Sequence, residues 1–447
     1  MQHITIFDFL LLPVYLYIFY VIIKKKATAY TDGGLRKIFF TAFFLRMFGS
    51  VIYSLMIQYY YGYGDSFTFY AGGNFIIEQI QSDFGNINLL LANGEELQKL
   101  YAFQNGPVGG INGYIGISTA IFMMKLAVLV APLTFNKFLI TSLFFGLFSF
   151  LGQWRLFQVF NEINKGRNQK LLAMAVLYTP SIWFWGSGLL KDSVCLGAIG
   201  FIVSYLYALF IKKNYSIKTI LLLLLMLFIV GSIKSYILII LAVSLATTFF
   251  FNMIAVFKNI VIKGFVVLVF IFASTTIAYI SNFEEQLQLI AEESKVQVDT
   301  FQKNYEATED EGKGTLNAEE LDASVGGLLI RSPLAVFTCL FRPFIWESRK
   351  IMILFSSLES MLLLFSTLYL LFKLRFFGFI NAVFSNQFLL FAFVFSILFA
   401  LIIGFTTFNF GTIARYRIML LPFYYFMLVE LYSQYKSRAG LARERRV

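Results

Sequence analysis

Long uninterrupted apolar runs decide the class of this chain. A helix needs about 20 apolar residues to cross a hydrocarbon core of roughly 30 Å. Ile4–Ile23, Ile38–Tyr60, Phe138–Phe157 and Ile351–Phe372 each reach that length. The 447 residues are 59% hydrophobic and only 14% charged, more apolar surface than a soluble core can cover. The runs far exceed the short alternating strands of a barrel, which excludes that architecture. The expected fold is an all-α polytopic membrane protein, with residues 1–447 forming a single transmembrane domain.

Eleven runs are distinct: Ile4–Ile23, Ile38–Tyr60, Phe138–Phe157, Leu171–Trp185, Val194–Phe210, Thr219–Val230, Ile237–Phe251, Gly264–Ile280, Ile351–Phe372, Phe388–Thr406 and Ile418–Tyr432. The first lacks a small-residue cleavage site and is expected to stay as a span. Leu171–Trp185 and Thr219–Val230 are short for a full crossing. Helices that stop inside a membrane usually line a cavity, because unwound backbone cannot face lipid. Ile115–Leu133 carries Lys125, ends at Pro132 and upsets the parity of the charged loops if it crosses. It is expected as a re-entrant or interfacial helix, which leaves eleven crossings. The alternative is twelve crossings with the amino terminus inside.

Basic residues orient the spans, since they concentrate in cytoplasmic loops. Lys24–Lys26 with Arg36 and Lys37, the Lys165/Arg167/Lys170, Lys212/Lys213/Lys218, Lys258/Lys263 and Lys373/Arg375 groups, and the tail 433–447 with Arg438, Arg443, Arg445 and Arg446, mark that side. The carboxyl terminus is therefore expected inside and the amino terminus outside. The loops 61–113 and 281–350 and the corners Gly186–Ser193, Gly231–Tyr236 and Asn409–Arg417 are expected outside. Between Phe283 and Ile330, twelve acids face three lysines. Phe283–Tyr305 suits a helix, and Leu328–Ser348 suits a helix lying on the outer membrane surface. The net charge of +11 follows from basic inner loops beside anionic lipid and calls for no nucleic acid. One histidine, His3, and two cysteines, Cys195 and Cys339, supply neither a disulfide framework nor a His/Cys metal motif. Catalysis then falls to carboxylates, Lys, Arg, Tyr or backbone groups.

Against that orientation, several cations stand on the wrong side. Lys191 follows the turn Gly186-Ser187-Gly188 and opens a returning helix, where free backbone N–H groups favour anions. Arg415 and Arg417 flank Tyr416 on the last external corner, and arginine suits bidentate phosphate recognition. Arg342 and Lys234 are further outward cations. Each also suits a blander role as a snorkelling or headgroup-binding anchor. Asp65, flanked by Gly62 and Gly64 just past the second span, suits either a helix cap or a general base, with a divalent cation as an option. Asp192 and Glu347 are candidates for a second acid or a cap. Arg46 and Glu359 lie within spans, where charge is costly and usually paired, and a bridge between them is expected.

These residues carry a resemblance. The chain resembles the C-type membrane glycosyltransferase superfamily and the bacterial polysaccharide polymerases related to it. The matching features are Asp65 in the first large external loop, the re-entrant segment Ile115–Leu133, the broken outward helices, the mobile external loop ahead of the last spans, and Arg415-Tyr416 with Pro422 downstream. The resemblance implies a polyprenyl-phosphate or polyprenyl-diphosphate sugar donor, used at the outer face of a bacterial cytoplasmic membrane. Asp65 would then be catalytic, and Lys191, Arg415, Arg417, Arg342 and Lys234 would bind phosphate. Two other readings stay open: a flippase for a lipid-linked saccharide, and a non-catalytic membrane subunit of a cell-envelope complex.

Overall fold

A computed structural model describes residues 3–105, 117–256, 325–348, 351–407 and 409–444. The protein is an all-α polytopic membrane protein. Among the described residues, eight helices are long and apolar enough to cross a membrane. They account for eight of the eleven expected runs. Gly264–Ile280, the helix Phe283–Tyr305 and nearly all of the acidic loop lie outside the described residues, as does the end of the loop 61–113. Leu171–Trp185 is broken in two, and Ile418–Tyr432 becomes a short 3-10 turn, Arg417–Met419, leading into a final helix. The single domain read from the sequence divides into two compact units, residues 1–238 and 239–447.

Among the described residues, ten α-helices lie wholly within unit 1. They are α1 (Ile6–Ala27), α2 (Gly33–Met56), α3 (Asp65–Ser82), α4 (Gly94–Asn105), α5 (Ser118–Thr134), α6 (Phe138–Ile163), α7 (Gln169–Val176), α8 (Pro180–Trp185), α9 (Lys191–Phe210) and α10 (Ile217–Lys234). The apolar segment expected to be re-entrant is α5, which packs on α3, α6 and α10. The corner expected at Gly231–Tyr236 is tighter than its sequence suggests, because α10 runs on through Lys234.

Helix starts follow the chemistry of their first residues. Asp32 caps α2 through the Gly34 N–H. At α1, Asp8 accepts from the Thr5 backbone and hydroxyl at 2.9 and 2.8 Å. Its other oxygen accepts from the Leu139 N–H at 3.0 Å, which ties the start of α1 to the start of α6. Asp8 is thus a fully buried acid whose negative charge is met by orphan amides at two helix starts.

The break between α7 and α8 has a definite cause. Pro180 has no N–H to continue the ladder, so the helix stops and restarts with proline in its first turn. Carbonyls at this break and at the far end of α8 are met from neighbouring helices. Gln153 of α6 donates to the Val176 carbonyl at 2.7 Å. Arg46 of α2 donates to the Gly186 carbonyl, to the Gln153 side chain and, at 3.0 Å, to Ser149. Arg46 is therefore paired within unit 1, which corrects the expected bridge to Glu359.

Small residues set the closest packing. Gly152 of α6 faces the Gly197 backbone of α9, and Gly200 faces Gly152 in return. A Cβ at either position would run into facing backbone. Such close approach is how helices associate where lipid removes the hydrophobic drive between them.

Unit 2 begins within α11 (Tyr236–Val256) and continues with α12 (Val325–Phe341), α13 (Ile351–Leu374), α14 (Phe376–Phe384), α15 (Gln387–Thr406), α16 (Phe410–Tyr416) and α17 (Leu421–Glu444). Asn386 and Asn409 cap α15 and α16 through their side-chain oxygens. The segment expected as a surface helix, Leu328–Ser348, is α-helical to Phe341 and then forms a short 3-10 turn, Ile345–Glu347. That helix packs along α15, with Gly404 against the Ala335 backbone and with Cys339 and Leu340 buried. Phe395, Phe399 and Phe423 fill the core between α15 and α17, with the Phe395 and Phe423 rings 4.4 Å apart.

Candidate functional site

The chain leaves α2 through a π-turn, Ile57–Tyr61, and reverses at Gly62 and Gly64, whose φ angles are +72° and +147°. Only glycine takes such angles freely. Asp65 follows as the first residue of α3, half-buried. A carboxylate there is favoured by the positive end of the helix dipole. Its neighbour Ser66 is buried and donates to the Leu189 carbonyl at 2.8 Å, and it also bonds the Tyr53 hydroxyl at 2.7 Å. Leu189 belongs to the corner that starts α9. Two helix amino termini are thereby held together, α3 opening on Asp65 and α9 on Lys191.

Lys191 lies half-buried against the first turns of α3 and α5. Its ammonium donates to the Thr119 hydroxyl at 2.7 Å and sits 5.6 Å from the centre of the Phe69 ring. A cation at a helix amino terminus opposes the dipole by about 0.3–1 kcal/mol. A bound anion reverses that penalty, because the N–H groups and the ammonium then act on the same charge.

The next residue, Asp192, is fully buried and accepts from Lys234 at 2.6 Å. The Lys234 side chain is only 10% exposed. Lys234, expected as an outward phosphate ligand, is therefore spent on Asp192. The pair fixes the end of α10 to the start of α9, and Asp192 acts as a buried partner more than as a second acid. Among the described residues, no three His, Cys, Asp or Glu side chains come together around a point. A divalent cation at Asp65 would draw its remaining ligands from phosphate and water, as magnesium commonly does.

Unit 2 carries the remaining cations. Arg417 is 1% exposed. Its guanidinium donates to the Ser356 carbonyl and hydroxyl, the Ser360 hydroxyl and the Arg342 carbonyl, at 2.6–3.1 Å. Glu359 lies 4.0 Å away. Arg417, expected as a phosphate ligand, is instead engaged inside unit 2 by Glu359, the serines and the Arg342 carbonyl. Arg415 is half-buried, with its guanidinium 5.8 Å from the Tyr416 ring. Arg342 follows the end of α12 and pairs with Glu347.

Sequence reasoning marked Glu359 but missed what surrounds it. The signal was present in Ser356-Ser357-Leu358-Glu359-Ser360, a polar patch inside an otherwise apolar helix. Asp8 and Gln153 were also missed. Each is a single polar residue in an apolar run, and its partner lies far away in sequence. No family model, curated protein or solved structure matches this chain.

Proposed function

We propose that the protein transfers a saccharide at the outer face of a bacterial cytoplasmic membrane, from a polyprenyl-phosphate or polyprenyl-diphosphate donor. The observation that supports this reading is the Ser66–Leu189 hydrogen bond. It joins the helix start that carries Asp65 to the corner that opens the helix starting at Lys191. Transfer to a hydroxyl needs one group to receive a proton and another to meet the charge of a departing phosphate.

The acceptor oxygen forms a bond to the anomeric carbon while the bond from that carbon to the phosphate oxygen breaks. Asp65 takes the acceptor proton as general base. Lys191, at the positive end of the α9 dipole, stabilises the negative charge left on the phosphate. Lys234 acts as a positioning residue, since it holds Asp192 and with it the register of α9. Within unit 2, Arg415 is a half-buried guanidinium whose chemistry suits phosphate recognition.

The experiment is a complementation in the source organism with the native copy removed, reading the pool of lipid-linked saccharide by mass spectrometry. Loss of the protein is expected to enlarge that pool, and the wild-type chain to restore it. Asp65→Asn is expected to insert and accumulate normally while leaving the pool enlarged. Clearance by that variant at the wild-type rate would sink the assignment.

A further inference from the structure

The segment joining α12 to α13 supplies its own anion. The Arg342 Nε donates to both oxygens of the Glu347 carboxylate, at 2.9 and 3.2 Å, and Nη2 donates to Oε1. The Phe344 backbone N–H adds a third donor group, 2.7 Å from Oε2. A planar fork and an amide thus converge on one small anion.

The frame behind them is fixed. The Arg342 carbonyl accepts from the buried Arg417 and from Ser360, each at 3.1 Å. The Arg342 guanidinium also lies over the Phe410 ring at 5.1 Å. The ion pair itself stays reachable, with side chains 23% and 18% exposed. Glu347 sits on a 3-10 turn of only three residues, closed by the Ser348 hydroxyl, which donates to the Phe344 carbonyl at 3.1 Å. It is a short element with poorer hydrogen-bond geometry than an α-helix. The anchored Arg342 fork therefore faces a carboxylate carried on a short turn.

We propose that this is a phosphate-binding site which Glu347 fills when no ligand is present, and that a phosphate ester or diphosphate displaces it. The fork and amide match a phosphate as well as a carboxylate. A phosphate brings more charge and more acceptor oxygens, whereas Glu347 brings only the advantage of being tethered nearby. The same chemistry serves a lipid headgroup or the phosphate of a substrate. The inference stands apart from the roles of Asp65 and Lys191, since a chain that transfers no sugar can still bind an anion here.

The test uses the full chain in two settings. In nanodiscs of uncharged phosphatidylcholine it is titrated with inorganic pyrophosphate, and in detergent with phosphatidic acid followed by native mass spectrometry. Glu347→Gln retains an oxygen for the Phe344 N–H but removes the competing charge, so binding is expected to tighten several-fold. Arg342→Gln is expected to abolish it. Pyrophosphate binding identifies a substrate-type phosphate, and phosphatidic acid binding alone identifies a headgroup; either supports the site. Binding to folded Glu347→Gln that equals or falls below wild type in both settings overturns it. Should that variant fail to fold, the wild type decides: the ligand must slow phenylglyoxal modification of Arg342, and unchanged modification contradicts the proposal.

Discussion

At the scale of single residues, the buried charges of this protein are explained by the backbone they serve. Arg46 and Gln153 do not form an isolated polar pair. Gln153 satisfies the Val176 carbonyl that the α7–α8 break sets free, and Arg46 satisfies the Gly186 carbonyl at the end of α8. A buried acceptor left unmatched costs about 1–3 kcal/mol. Gln153→Ala removes the donor to Val176 and one acceptor of the Arg46 charge. It is expected to cost at least that much, measured as a lowered thermal midpoint in detergent; an unchanged midpoint would count against this role. Sequence legibility at this scale was partial. The cost of an intramembrane arginine was readable from Arg46 alone, but its partners were not. Ser149, Gln153 and Gly186 lie over 100 residues away in the chain, and nothing local in the sequence points to them. The same holds for Arg417. Its position beside Tyr416 suggested a phosphate ligand on an external corner, and nothing local showed that Ser356 and Ser360 of α13 hold its guanidinium.

At the scale of elements, apolar length and proline were reliable guides, because both act locally. Eight expected runs reappear as helices with ends shifted by a few residues, and Pro180 breaks the ninth where its missing N–H requires. What pattern could not give is which helices touch. The α6–α9 contact depends on Gly152, Gly197 and Gly200, which look unremarkable in a chain of 31 glycines. Gly152→Leu places a side chain against the Gly197 backbone and should force the two helices apart. Overpacking typically costs about 1–3 kcal/mol, and a backbone wall gives less room than a flexible side chain. The expected outcome is a lowered thermal midpoint, while Gly378→Leu, with only the Leu374 Cβ at 4.0 Å from an added Cβ, should change it little. Equal effects of the two substitutions would remove close packing as the explanation. The Gly231–Tyr236 corner shows the limit of turn signals in such chains. Gly231 is helical here, and Lys234 ends its helix because Asp192 holds it there.

At the scale of the whole molecule, orientation in the membrane carries the functional reading. By the lysine and arginine clusters the Asp65 and Lys191 corner is expected on the outer side, and the proposed transfer depends on that placement. A flippase or a subunit without catalysis could tolerate another arrangement; transfer outside the membrane cannot. Tyr63 offers a direct reporter, because it is 77% exposed and lies two residues before Asp65. The native cysteines, Cys195 and Cys339, are both buried and can be replaced beforehand. The decisive measurement is labelling of Tyr63→Cys, in that cysteine-free background, with a membrane-impermeant maleimide on intact cells stripped of their outer barrier. Full labelling without permeabilising the cytoplasmic membrane is the predicted result. Labelling only after permeabilisation would place Asp65 and Lys191 on the cytoplasmic side and contradict outer-face transfer.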